Sequence, residues 1–218
     1  VAVLGSTTAS QASAAEFKCE VNNCALTGFQ EAFVQEKISI GTGLSVTCSE
    51  AMTASYSASA WAPELTVTPT ASNCTSSVGS ASIKFNHCDY NFPAATTGEH
   101  ARLKVTCSGG SQIELTTGGC TIKLGEQTAP KYGLRYINKE EFGFDTVTVQ
   151  ITAGELAYSK TGLTCGFVSG EATYTGAELV KCYEEGKRYN VINDKFEVQT
   201  TTYIYSHALA QVNCEWRA

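Results

Sequence analysis

The chain has 218 residues, 43% of them hydrophobic, and 15 Lys and Arg against 21 Asp and Glu give a formal net charge of −6. That apolar content supports a core and excludes the disordered class. The acidic balance leaves no basic stripe for phosphates and no polybasic patch for an anionic membrane surface, so nucleic acid is excluded as an expected partner.

In chain order, residues 1–15 come first: Val1-Ala2-Val3-Leu4-Gly5, then small and polar residues, with no charge before Glu16. Two readings stay open. One is the tail of a signal peptide with a small-x-small cleavage site at Ala12-Ser13-Ala14. The other is an extended arm that stays with the body and offers Val1, Val3, Leu4, Ala9 and Ala12 to a partner strand. The apolar run is far short of the roughly 20 residues of a membrane helix, so no membrane span is expected.

Phe29 to Glu36 has room for two helical turns, and no apolar stripe of helical period runs over a normal helix length elsewhere. From Lys37 onward the pattern is strand, turn, strand. Asp145 to Thr152 alternates polar and apolar without a break, which puts Val147, Val149 and Ile151 on one face. Arg102–Cys107, Thr121–Leu124 and Lys195–Gln199 alternate in the same way. Gly-bearing turns at Ser108-Gly109-Gly110, Thr117-Gly118-Gly119 and Ser169-Gly170 separate them. Short β-branched strands at this spacing predict an all-β fold, a disulfide-stapled antiparallel β-sandwich.

The ten cysteines are Cys19, Cys24, Cys48, Cys74, Cys88, Cys107, Cys120, Cys165, Cys182 and Cys214. The count is even and no C-x-x-C pair occurs, so zinc ribbons and thioredoxin-like redox sites lose their main support. Disulfides in an oxidising compartment follow, and the expected location is secreted, extracellular or at the cell surface. Strand parity points Cys107 and Cys120 inward. A Cys107–Cys120 bond meets a geometric problem: in an up-down-up meander the two lie about 20 Å apart along the strands, whereas a disulfide tolerates a Cα separation of about 7 Å. Either the strands bend or the two pair elsewhere, and spacing alone leaves the connectivity open.

Leu44-Ser45-Val46-Thr47-Cys48-Ser49 recurs in form as Leu103-Lys104-Val105-Thr106-Cys107-Ser108, at no fixed period. This predicts an N-terminal arm over 1–16, a first β lobe over 17–95 and a second over 96–218. One continuous sandwich is the alternative.

The chain also resembles a group of uncharacterised secreted β proteins of actinobacteria. The stretches that carry the resemblance are Ala25-Leu26-Thr27-Gly28, Val46-Thr47-Cys48, Leu65-Thr66-Val67-Thr68-Pro69 and Asn73-Cys74. They continue through His87-Cys88-Asp89-Tyr90, the block from Val105-Thr106-Cys107 to Gly118-Gly119-Cys120-Thr121, and Tyr174-Thr175-Gly176. The resemblance spans roughly residues 25–180. It implies a secreted β architecture and carries no catalytic residue. Cys19, Cys24, Cys182 and Cys214 lie at or outside its edges, where they would staple added terminal strands.

Chemistry-bearing residues are few. His87, His100 and His207 form no close metal pair, and no G-x-S-x-G elbow is present. A Ser/His/Asp set on a β fold need not be close in sequence, and none stands out. His87 lies beside Cys88, whose expected state is a disulfide. Glu140-Glu141 and Glu184-Glu185 are adjacent pairs that face opposite ways on a strand, so they do not converge on a substrate. Asn73-Cys74-Thr75 fits the glycan-acceptor pattern, which makes Asn73 a candidate acceptor. Tyr203 and Tyr205, and Tyr132 and Tyr136 beside Arg135, could form a sugar platform, although cross-strand packing is the commoner use.

The chain is therefore expected to be no enzyme and to need no cofactor or metal. The expected function is a structural subunit of an extracellular filament, pilus-like fibre or surface layer, whose partners are copies of itself joined by N-terminal strand exchange. The alternative is a monomeric secreted binding module for carbohydrate or surface adhesion.

Overall fold

The computed structural model describes residues 16–21, 24–31, 34–41, 43–56, 63–93, 100–131, 133–141, 143–192, 195–199 and 208–217. The strands are β1 (Glu16–Cys19), β2 (Cys24–Gln30), β3 (Glu36–Ile40), β4 (Leu44–Tyr56), β5 (Glu64–Ser76), β6 (Gly79–Lys84), β7 (Cys88–Pro93), β8 (His100–Ala101), β9 (Lys104–Cys107) and β10 (Ile113–Thr117). They continue as β11 (Cys120–Leu124), β12 (Gln127–Thr128), β13 (Leu134–Glu141), β14 (Phe144–Leu156), β15 (Ser159–Thr161), β16 (Ala172–Ile192), β17 (Lys195–Gln199), β18 (Ala208–Val212) and β19 (Cys214–Arg217).

Local sequence accounts for these elements. In β11, Cys120, Ile122 and Leu124 are buried while Thr121 and Lys123 are half-buried, the period of two that a strand against a core requires. Gly118 (φ 53°) and Gly119 (φ 80°) are both left-handed, which a two-residue turn between β10 and β11 needs. The helical turns that Phe29 to Glu36 had room for reduce to one tight turn, with the Val34 N–H on the Glu31 carbonyl at 3.1 Å. Tertiary pairing decides this: β2 and β3 lie end to end between β16 and β4, with a break in the ladder between them.

The strand ladders close into a ring. β4 pairs with β5, β5 with β7, and β7 with β9. β8 and β9 act as one bent strand, meeting β13 and β12 on their far side. β13 pairs with β14, β14 with β16, and β16 returns through β3 and β2 to β4. All of these pairs are antiparallel. The architecture is therefore all-β and antiparallel, and the two faces of the expected sandwich share strands along both sides. Strands from either side of residue 95 sit in the same ring.

Inside the ring, Val46, Leu65, Val67, Tyr90, Phe92, Val105, Leu134, Val147, Val149, Ile151, Tyr174 and Ile38 are buried in one cluster. Tyr90 and Tyr174 meet with centroids 5.7 Å apart. One end of the ring is covered by chain excursions that form a four-stranded layer, β6–β10–β11–β15, in which Leu115 and Ile122 are fully buried. The other end is covered by the two chain-terminal strands, β1 and β19, paired from Glu16–Arg217 to Cys19–Cys214. Trp216 from this terminal ribbon stacks on Tyr136 at 3.7 Å. Burial pushes the Tyr136 phenol well above its ordinary range, aided by the Glu64 carboxylate.

All ten cysteines are bonded: Cys19–Cys24, Cys48–Cys74, Cys88–Cys107, Cys120–Cys165 and Cys182–Cys214. Cys107 thus bonds the residue opposite it on β7, and Cys120 bonds a short 3₁₀ turn, Leu163–Phe167, so the two pair elsewhere. Among the described residues, no helix is long and apolar enough to cross a membrane.

Candidate functional site

In a closed ring the staves are paired on both sides, which uses their backbone donors and acceptors. Single-sided strands are left at the two ends. At the ribbon end, among the described residues, β1 takes β19 as its strand partner and β17 takes β16. Past Glu184, the last of its residues paired with β2, β16 continues for eight residues, about 26 Å of strand, and there meets β17 over Arg188–Ile192 and β18 at Arg188 and Tyr189. At the opposite end, β15 pairs with β11. There β6 pairs with β10 and meets β5 only at Thr75–Ser80 and Ser76–Gly79. Lys84 on β6 and Lys160 on β15 are exposed, a charge that blunts uncontrolled pairing of a strand edge. The Lys160 ammonium also donates to the Cys165 and Val168 carbonyls.

The residues expected to form the assembly arm, Val1, Val3, Leu4, Ala9 and Ala12, lie outside the described residues, as do Tyr132, Tyr203, Tyr205 and His207. The described chain begins at Glu16 in β1, which places the junction with the arm at the ribbon end.

The ribbon is covalently fixed to the ring. Cys19 of β1 bonds Cys24 of β2, and Cys214 of β19 bonds Cys182 of β16. All four cysteines are buried, and the Cys19, Cys24 and Cys182 sulfurs lie within 4.8 Å of one another. Beside them is a groove of about 250 Å³ lined by Lys18, Glu20, Asp145, Asn213 and Cys214. Its polar groups are ordered. The Asn213 N–H donates to Glu20 Oε2 at 3.1 Å, and the Asp145 N–H donates to Asn213 Oδ1 at 2.9 Å.

A second groove, of about 520 Å³, lies on the outer face of β5, β7 and β9 and is lined by Thr68, His87, Asp89, Thr106, Cys107 and Ser108. Left-handed backbone at Asn86 (φ 48°) and His87 (φ 62°) turns the chain here. The Ser108 N–H then reaches the His87 carbonyl at 3.2 Å. The sequence did not single this set out, because Ser108 lies in the 3₁₀ turn Ser108–Gly110 after β9 and is brought in by the Cys88–Cys107 pair. The Thr68 hydroxyl donates to Asp89 Oδ1 at 2.8 Å. Next to it, Asn91 donates to Glu64 Oε1 and Thr66 Oγ1 at 2.9 and 2.8 Å and accepts from Thr106 at 2.7 Å. This surface can exchange hydrogen bonds with a polar ligand.

Inside the ring, Glu36 and Glu178 are 2% and 0% exposed and hydrogen-bonded to each other, and Glu36 also bonds Tyr174. Burial raises the Glu36 carboxyl above its ordinary value, and the contacts with Tyr174, the Ala177 amide and Glu178 only partly offset this.

The other sequence candidates fall into place singly. Cys88 is in a disulfide. Asn73 is exposed in β5 at φ 52°, next to the bonded Cys74. Glu141 pairs with Lys181 while Glu140 is exposed. Tyr136 is spent on packing against Trp216. The chain matches no protein-family model, no curated protein and no solved structure.

Proposed function

We propose that the chain is an extracellular structural subunit that joins copies of itself head to tail, with residues 1–15 of one copy added as a strand to the next. The observation that carries this reading is the placement of single-sided strands at opposite ends of a closed ring. The arm leaves β1 at the ribbon end, and β6 and β15 offer edges at the other. A contact between unlike ends does not close on itself, so it repeats into a fibre. Fifteen extended residues reach about 50 Å, enough to cross to a neighbour's edge. Strand addition satisfies backbone groups on both partners, while Val1, Val3, Leu4, Ala9 and Ala12 supply small apolar side chains. Five disulfides suit a subunit that works in an oxidising exterior.

The test compares the full chain with a form beginning at Glu16 by light scattering and electron microscopy. Fibres from the full chain and monomers from the shortened one are expected. Monomers from both would refute the reading.

A second reading is favoured by the His87–Asp89 groove: a monomeric module that binds carbohydrate through Thr68, Asp89, Thr106 and Ser108. It is read by glycan-array binding of the form that begins at Glu16, with Asp89→Ala as the control.

A further inference from the structure

We infer that the four cysteines at the terminal ribbon form a thiol-exchange site, entered from the groove lined by Lys18, Glu20, Asp145, Asn213 and Cys214, which re-pairs Cys19–Cys24 and Cys182–Cys214 as Cys19–Cys214 and Cys24–Cys182. Its use in freeing the arm-bearing ribbon rests on the assembly reading; the exchange itself does not.

Two geometric facts carry it. Cys19 and Cys214 are direct partners in the β1–β19 ladder, the position at which cross-strand side chains come closest. Cys24 and Cys182 sit on neighbouring strands, Cys24 opposite Glu184 and Cys182 opposite Leu26, with their sulfurs within 4.8 Å and Cys19 in the same cluster. A second complete pairing therefore exists within the same four residues. The other three disulfides have no comparable neighbour among the described residues: no further group of three clustered ligand side chains includes them.

The exchange balances without an oxidant. When a local opening of the ribbon exposes the buried Cys214 sulfur to the groove, a small external thiolate attacks it, forming a mixed disulfide and releasing the Cys182 thiolate. Cys182 attacks Cys24, breaking Cys19–Cys24 and releasing the Cys19 thiolate. Cys19 attacks Cys214 across the ladder and expels the external thiolate. Three S–S bonds form, three break, and the catalyst returns unchanged. Glu20 and Asp145 outnumber Lys18 in the groove, so a neutral thiol enters more readily than an anionic one.

The consequence is mechanical. In the present pairing both bonds run from ribbon to ring. In the exchanged pairing, one bond closes the ribbon on itself and the other closes β2 on β16, so no crosslink joins ribbon to ring. What then holds the ribbon is packing, chiefly Trp216 on Tyr136, and the Asn138 amide.

The test treats the full chain with a catalytic amount of β-mercaptoethanol, quenches with an alkylating agent, and maps disulfides by mass spectrometry after cleavage at lysine and glutamate. Cleavage at Glu20 separates Cys19 from Cys24. The expected result is Cys19–Cys214 and Cys24–Cys182 peptides at unchanged intact mass, with the other three linkages intact. Amides of β1 and β19 should then exchange hydrogen at least tenfold faster, and the double variant C182A/C214A should show no re-pairing. Original linkages throughout, or scrambling that draws in Cys48, Cys88 or Cys120 equally, overturns the proposal. Because connectivity and hydrogen exchange are read on monomers, failure of fibre formation leaves this result unaffected.

Discussion

The Glu36 carboxylate takes the place of a missing backbone acceptor: its Oε1 receives the Ala177 N–H at 2.8 Å, where the ladder to β16 breaks between β2 and β3. The Glu31 N–H returns the favour of pairing by donating to the Ala177 carbonyl at 2.8 Å. Gly176 makes room for this, because a Cβ there would overlap the Glu36 carboxylate. The substitution Gly176→Ala is therefore expected to expel the side chain, strand the Ala177 amide and destabilise the fold by about 2–4 kcal/mol. Urea unfolding of the variant measures this, and a change within about 0.5 kcal/mol of zero would remove the argument.

The same carboxyl gives the fold a pH dependence of defined sign. Burial raises Glu36 in the folded state above its ordinary 4.5, so the folded chain holds a proton that the unfolded chain releases. Its contribution is full below about 4.5 and is lost as pH rises through the higher folded value. The contacts with Tyr174, the Ala177 amide and Glu178 pull the other way and only narrow the rise that burial causes. Stability should fall as pH rises from 4.5. Glu36→Gln keeps an acceptor for Ala177 and should flatten that fall. Parallel slopes for the two proteins in a urea-midpoint series against pH would count against it.

This break in the ladder marks the boundary of what the sequence made legible. Alternation located β14, β11, β9 and β17 and put Val147, Val149 and Ile151 on the buried face, because a period of two is a local property. The same reading left Thr146 and Thr148 on a solvent face, yet both are fully buried. Cover over the second face of a strand is supplied by distant chain and leaves no trace in the alternation. Ring closure was hidden for a similar reason: it depends on β8 and β9 sharing one bent path to β13 and β12. The disulfide partners of Cys107 and Cys120 followed from strand order, which spacing does not give. The polar groove at His87 needed both, since its residues come from three strands.

The terminal ribbon depends on one side chain acting as a strand. Asn138 donates to the Trp216 carbonyl and accepts from the Trp216 N–H, both at 2.7 Å. Asn138→Ala removes both partners from a part-buried backbone pair and should cost about 1–2 kcal/mol. Asn138→Asp can accept but not donate, so it should recover only part of the loss. Near-ultraviolet circular dichroism reports the Tyr136–Trp216 stack directly. Both variants should weaken that signal, and an unchanged spectrum would show that the ribbon holds without the amide.

Disulfide removal should rank by the loop each bond closes. Cys120–Cys165 spans 45 residues and Cys19–Cys24 spans 5. In the chain-entropy account the first constrains the unfolded chain by about 4 kcal/mol and the second by about 2 kcal/mol. Packing strengthens the order: Cys120 lies in the buried row with Ile122 and Leu124, and its bond fixes the 3₁₀ turn against that layer. Cys19–Cys24 shares its task with Cys182–Cys214, so one staple still holds the ribbon when the other is gone. The double variants C120A/C165A and C19A/C24A, unfolded in urea without reductant, should therefore differ by about 2 kcal/mol, with the first less stable. Equal losses would mean that the two bonds act mainly through native-state contacts rather than through the unfolded chain.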